Sequence, residues 1–435
     1  MTLRVNQWFI GPVVHRPAFE RESQLPHQGR YTFEPCNNVC NRSGSAFLGR
    51  LRFLLLIVFA LVAVGHIAAA APLEVSVNNA AEFRTAVAAA KPGTRILLAG
   101  GVYGGGFHFS SLRGEPGNPI VIAAANPAHP PVFRDANVGI HLSNPAYLEL
   151  RDLVFTKLVQ NGLNIDDGNT AAGANGAHHI TLRGLRISDI GADGNNDGIK
   201  MSGVWDFTVS DCTIERWGTR GGSAIDLVGC HRGLIESNHI GHIVPAPPNC
   251  TGVQAKGGTS EVVIRRNRFE DAGGRAVNLG GSTGLTYFRP ALEPNGTYAE
   301  ARELVVEGNV FIGGVSAIAF VGVDGAIVRF NTIERPTRWP VRILQETKSP
   351  GFVPSRRGQF TDNLISVDST RALDVNLGAG TAPETFIFAR NAWYNSEAPE
   401  RSRPTLPTPE VDGRYGGPPE TMREQVGAAA YREPR

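Results

Sequence analysis

The chain has 435 residues, a net charge of +2 and 42% apolar residues. That is enough for a substantial core, without the basic excess that suits nucleic acid or an anionic membrane surface. Charged residues are only 19% of the chain and there are 51 glycines, the balance of a protein with many tight turns.

Residues 1–49 are polar and without periodicity, a leader expected to lie outside the mature protein. Residues 50–71 follow with Arg50 and Arg52, an apolar run over 53–64 and an alanine-rich end before Pro72. This is the form of a secretory signal cleaved near 69–71, so a secreted or periplasmic location is expected. An uncleaved membrane anchor is the rival, because 53–71 is nearly long enough to span a bilayer. Of five cysteines, Cys36 and Cys40 precede this segment. The odd remainder of Cys212, Cys230 and Cys250 argues against a full disulfide framework, leaves room for one bridge and has no zinc-site spacing; buried thiols are the expectation.

Residues 80–90 (AAEFRTAVAAA) spell a short helix with Phe83 and Val87 on one face, stopped by Pro92 and Gly93. Beyond it one phrase returns: GIKMS at 198–202, AIDLV at 224–228, GVQAK at 252–256 and AVNLG at 276–280. Alternation at period two means a strand with one buried face. Its return every 24–28 residues means a solenoid, whose open end the helix is placed to cover. A second landmark closes each coil, and its middle residue is Asn in the last six: Asn238, Asn267, Asn309, Asn331, Asn363 and Asn391. Asn tolerates the left-handed conformation and bonds its own backbone, so this stack marks one repeated turn. No helical period appears between landmarks, and coils of this length suit three short strands. The pattern runs over 72–396, and 397–435 is a Pro- and Gly-rich tail that either wraps the last coil or stays disordered.

Two coils are long, with extra residues over 280–302 (Tyr287, Phe288, Arg289, Tyr298) and 345–357. Both insertions follow the same strand of their coil, so both are expected on one side, bordering a binding face.

These features resemble the right-handed parallel β-helix family, the pectate-lyase-like solenoids. KPGTRILLAGGVYGGGFHF (91–109) and GVQAKGGTSEVVIRRNRF (252–269) resemble the branch holding chondroitinase B and alginate lyases. The resemblance implies an all-β, single-stranded right-handed parallel β-helix of about nine to eleven coils. It also puts Lys256 at the place of that branch's basic Lys. The match fails on the next coil, where the branch has Arg-His and this chain reads Leu279-Gly280; Arg275 is the candidate substitute. The branch's Asn and paired Glu calcium ligands are not found at the corresponding strands.

Period-two alternation sorts side chains inward and outward. The first outward column reads His141, Asn164, Lys200, Asp226, Gln254, Asn278, Ala319, Arg342 and Asp374, and the next includes Ser143, Asp166, Ser202, Val228, Lys256 and Gly280. Stacked strands lie about 4.8 Å apart, so the polar members form one patch of mixed sign. Eliminating across a uronate needs a cation against the carboxylate and a base for the proton beside it. The expected roles are Lys256 as base, Lys200 and Arg275 as carboxylate partners, and Asp226 orienting Lys200. Gln254, Asn278, Arg342, Tyr287 and Phe288 are expected to bind the sugar.

Calcium is a possible cofactor through Asp197, Asp226 and Asp166, with GADGNNDG (191–198) as an oxygen-rich loop; the plainer reading is a turn filled with turn residues. No organic cofactor is expected. The histidines at coil ends read as surface residues, and Asp166-Asp167 is the only place for a polygalacturonase-like carboxylate pair. The expected partner is an acidic polysaccharide and the expected state a monomer. C5-epimerisation and non-catalytic carbohydrate binding or adhesion are the alternatives to a lyase.

Overall fold

A computed structural model of the protein describes residues 73–169, 176–368 and 375–433. The leader, the signal segment and Asp374 lie outside the described residues. No helix among the described residues is long and apolar enough to cross a membrane.

The chain winds through three parallel sheets, of twelve, twelve and ten strands. Each coil contributes one strand to the first sheet, one to the second and one to the third, as in Ala146–Arg151, Val154–Leu158 and Asn161–Asp166. Among the described residues ten coils are complete. The period-two phrases form the third sheet, where Ile199, Met201, Ile225, Leu227, Val253, Val277 and Leu279 point inward and are fully buried. Aromatic residues stack from coil to coil inside the tube, Phe133 on Phe155 at 5.1 Å and Phe269 on Phe311 at 4.7 Å. Every inward position repeats at the strand spacing, so like side chains meet across coils and close the core without a second layer.

The helix Ala80–Ala89 covers the first coil. Asn79 caps it by accepting from the Ala81 and Glu82 amides, and buried Phe83 sits edge-on to Phe107 at 5.0 Å. The thiols Cys212, Cys230 and Cys250 are free and buried.

The six landmark asparagines do form one corner, between the first and second sheets, but by a different device from the one expected. The left-handed residue is the one before each Asn: Ser237, Arg266, Gly308, Phe330, Asp362 and Arg390. The Asn side chains turn inward and are buried. The Asn267 backbone amide and Nδ2 both donate to Asn309 Oδ1, at 2.9 and 3.0 Å. Asn309 donates in the same way to Asn331, Asn331 to Asn363 and Asn363 to Asn391. The tail completes the ladder: Asn391 Nδ2 donates to Glu410 Oε1 at 2.7 Å. Arg414–Tyr415 then adds a strand to the second sheet, and Tyr431 Oη reaches back to Glu307 at 2.8 Å. The tail therefore lies along the solenoid and covers its end.

Candidate functional site

The third sheet aligns the outward column as its periodicity requires. Register pairs run His108, His141, Asn164, Lys200, Asp226, Gln254, Asn278, Ala319, Arg342 and Asn376. Asn376 holds the last place, which Asp374 was expected to take. In the neighbouring column Ser143, Asp166, Ser202, Val228 and Lys256 pair in turn.

At the centre of the column lies a chain of alternating charges. Lys200 Nζ donates to Asp197 Oδ2 at 2.9 Å and to Asp226 Oδ2 at 2.6 Å. Lys256 Nζ lies 3.2 Å from the other Asp226 oxygen, a close ion pair. Asp197 and Asp226 are 1% and 2% exposed. Burial works against the Asp226 carboxylate, but Lys256 and Lys200 outweigh it and hold its pKa below the usual value. Burial also opposes the Lys200 ammonium, and Asp226 and then Asp197 more than compensate, so its pKa rises. Asp197 goes the other way. Burial first, and the Asp226 charge second, raise it to about 6 despite Lys200.

Beside this cluster opens a groove of about 420 Å³, with Gln254, Lys256, Arg275, Asn278 and Arg342 in its lining. Three cations thus face one groove, and no carboxylate is among its lining residues. Arg275 donates to Glu346 at 2.6 Å and to Asn278 Oδ1 at 3.3 Å. Arg342 stacks over Trp339 at 4.4 Å and donates to Asn376 at 2.9 Å. Burial, and then the neighbouring Arg275 charge, lower its pKa to about 10. A guanidinium depressed in this way by a second cation is a site that favours an anion. Cys250 also lines the groove, but burial pushes its thiol up to about 12, far from a thiolate nucleophile.

The two insertions pack on each other beside this region. The first leaves the sheet at Gly280 (φ 101°), where a Cβ would stand 1.9 Å from the Val321 carbonyl oxygen; only glycine fits there. It then folds back over earlier coils, and Arg289 Nε donates to Asp167 at 2.8 Å. Phe352 of the second insertion packs against Phe288 at 5.3 Å and Tyr298 at 5.6 Å. Glu300 is the joint between them. Fully buried, it accepts from the Gly257 amide at 3.0 Å, from the Thr283 amide and hydroxyl at 3.0 and 2.7 Å, and from Thr347 Oγ1. One carboxylate thereby ties both insertions to the residue after Lys256, while Glu346, next to Thr347, fixes Arg275.

Several expected residues stand differently. Phe288 does not line a rim: it is 1% exposed, because the second insertion gives it an apolar partner in Phe352. Tyr287 beside it is 65% exposed. Asn278 borders the groove, but its amide is engaged by Arg275 and by the Gly280 carbonyl oxygen, at 3.2 Å. Gln254 Oε1 accepts from Ser223 Oγ at 3.3 Å. The carboxylates assigned to calcium do not converge. Asp166 lies against His141 and accepts from Ser143 at 2.7 Å, while Asp197 and Asp226 are engaged by lysine ammonium groups. A divalent cation there would sit against two positive charges, so this donor set does not fit calcium. Among the described residues no group of three His, Cys, Asp or Glu is placed to hold a metal ion. Glu300 and Glu346 were missed because an insertion has no period from which facing can be read.

Residues 138–333 match the family described as "Right handed beta helix region". No curated protein sequence matches the chain. Among solved structures, it is similar to an alginate lyase from Paenibacillus sp. at 19% identity, over 72% of this chain and 98% of that one, with a TM-score of 0.47. A mannuronic acid-specific family 6 polysaccharide lyase from human gut microbiota is similar at 17% identity, over 82% and 96%, with a TM-score of 0.46. The A-module of the Azotobacter vinelandii mannuronan C-5 epimerase AlgE6 is similar at 13%, over 78% and 94%, with a TM-score of 0.44. The three wound sheets give the chain the parallel β-helix fold, and residues 138–333 within it match the right-handed β-helix model.

Proposed function

We propose that the third-sheet groove takes an acidic, uronate-containing polysaccharide and cleaves it by β-elimination outside the cytoplasm. One observation carries this reading: Lys256, Arg275 and Arg342 line a single groove that offers no counter-anion among its lining residues. In this reading Arg342 and Arg275 take the substrate carboxylate and withdraw charge from it, which acidifies the proton on the adjacent carbon. Lys256 Nζ, acting as the neutral amine, takes that proton and becomes the ammonium, the electron pair becomes a carbon–carbon double bond, and the glycosidic oxygen leaves with a proton from water. Lys200 has a narrower role than its sequence position suggests. Its ammonium is held between two carboxylates, so it orients Asp226 and leaves the substrate to the arginines.

Binding without turnover is the second reading, and the Lys256–Asp226 ion pair favours it, since that contact competes with proton removal.

Incubation of the purified protein with polymannuronate, polyguluronate and polygalacturonate separates these readings. A lyase gives the ultraviolet absorbance of an unsaturated uronate, and an epimerase gives solvent-hydrogen exchange into the polymer without it. Binding with neither signal supports the non-catalytic reading. No binding to any of the three overturns the acidic-glycan assignment.

A further inference from the structure

The outer face of the first sheet carries a second and larger groove, of about 790 Å³. Its floor is set by a column of one residue per coil, Tyr147, His179, Asp206 and Arg232, each left-handed with φ between 45° and 54°. A left-handed residue at one register position of four adjacent strands puts four side chains in one column. Such backbone is costly for bulky residues.

The chemistry along this column is specific. The Tyr147 and His179 rings stack at 4.4 Å. Arg232 donates twice to Asp206, at 2.7 and 2.6 Å, and His179 lies 3.8 Å from the same carboxylate. Arg232 holds Asp206 below the usual carboxylate range. Glu149 and Thr181, paired in register on the next outward column, complete the lining. Farther along the solenoid the left-handed column continues as Glu261 and Glu303, without rings. Within this column the stacked rings and the planar ion pair fall on the coils that line the cavity.

Stacked rings beside a bidentate guanidinium–carboxylate pair and a hydroxyl suit a sugar, whose C–H face packs on rings while its neighbouring hydroxyls meet planar donors and acceptors. Charge selects which sugar. This groove is lined by Glu149 and Asp206 against Arg232, whereas the third-sheet groove is lined by three cations. A uronate polymer gains nothing from such a balance. We infer that the first-sheet groove is a second, non-catalytic binding site for an uncharged saccharide.

The test is calorimetric titration of the purified full chain with cellohexaose, mannohexaose, xylohexaose and chitohexaose, beside hexamannuronate. At least one neutral oligosaccharide is expected to bind. Tyr147→Ala and Asp206→Ala should each weaken it about tenfold or more. Tyr147→Phe should retain binding, and Lys256→Ala should leave it unchanged. Thermal unfolding of each variant shows whether it is folded, and Thr181→Ala serves as an independent probe of the lining if Tyr147→Ala is not. Failure of all four sugars to bind the wild type overturns the inference. So does binding that survives Tyr147→Ala and Asp206→Ala, or that is lost with Lys256→Ala, which would place the sugar in the third-sheet groove. None of these outcomes depends on turnover of an acidic glycan.

Discussion

The asparagine corner and the third-sheet column are built on the same rise, one residue per coil, yet they follow opposite rules. At the corner the residue is the same in six successive coils, and every amide is satisfied by the next. Along the third sheet the residue changes at each step, His, Asn, Lys, Asp, Gln, Asn, and its Lys and Asp pair beside a groove lined by cations. Repetition lets each coil template its neighbour, which is how a solenoid gains stability. Variation at an outward position adds nothing to that templating. Buried charge is costly unless paired, so an alternating Lys–Asp chain beside a cationic groove points to chemistry rather than to folding.

Breaking the corner should have the largest effect on stability. Asn309→Leu leaves the Asn267 amide without its acceptor and the Ile264 carbonyl oxygen without its donor. Each buried orphan costs about 1–3 kcal/mol, so denaturant unfolding should show a loss of about 4 kcal/mol with the groove chemistry of the folded fraction intact. Breaking the column should do the reverse. Arg342→Ala should weaken polyuronate binding about 10- to 100-fold, the effect of a charge-assisted contact, and shift the unfolding midpoint little.

Two smaller effects sharpen the contrast. Glu300→Gln presents amide hydrogens to the Gly257 and Thr283 donors. Hydrogen exchange over 281–300 and 345–357 should then quicken about tenfold or more, from a local cost of about 1–3 kcal/mol. An unchanged exchange pattern would mean the insertions hold without it.

The smallest effect is on pH dependence. Asp197 has a folded-state pKa of about 6, above its ordinary value of 3.8. The native state therefore binds the extra proton between those values, and the contribution of Asp197 to stability is present below about pH 4 and lost as pH rises through 6. Protonating it adds one positive charge to the cluster. Polyuronate affinity should thus rise a few-fold as pH falls from 7 to 5, and Asp197→Asn should flatten that rise.

Much of this molecule is legible in the sequence, for reasons that also set the limit. Alternation fixes which side of a strand a residue faces, and a constant coil places Lys200, Asp226, Gln254 and Asn278 on adjacent strands, so fold and column follow from the pattern alone. Pattern says nothing about what covers an outward residue. Asp226 points away from the tube and is still buried, because two lysines close over it. Phe288 and Tyr287 are adjacent in a segment without period, and only the contact with Phe352 decides that one is buried and the other exposed. Glu300 is invisible for the same reason, since its partners are 17, 43 and 47 residues away. The asparagines show a subtler gap: their spacing reveals the turn, while the inward amide ladder that makes them useful depends on backbone angles one residue earlier.

The central claim is that the outward face of the third sheet is the working face, with Lys256 as its base. Lys256→Ala tests it most directly, with formation of unsaturated uronate measured beside thermal unfolding. The account predicts that turnover falls about a thousandfold or more, while the unfolding midpoint stays near that of the wild type because Lys200 still neutralises Asp226. A variant that cleaves a polyuronate at the wild-type rate would contradict it.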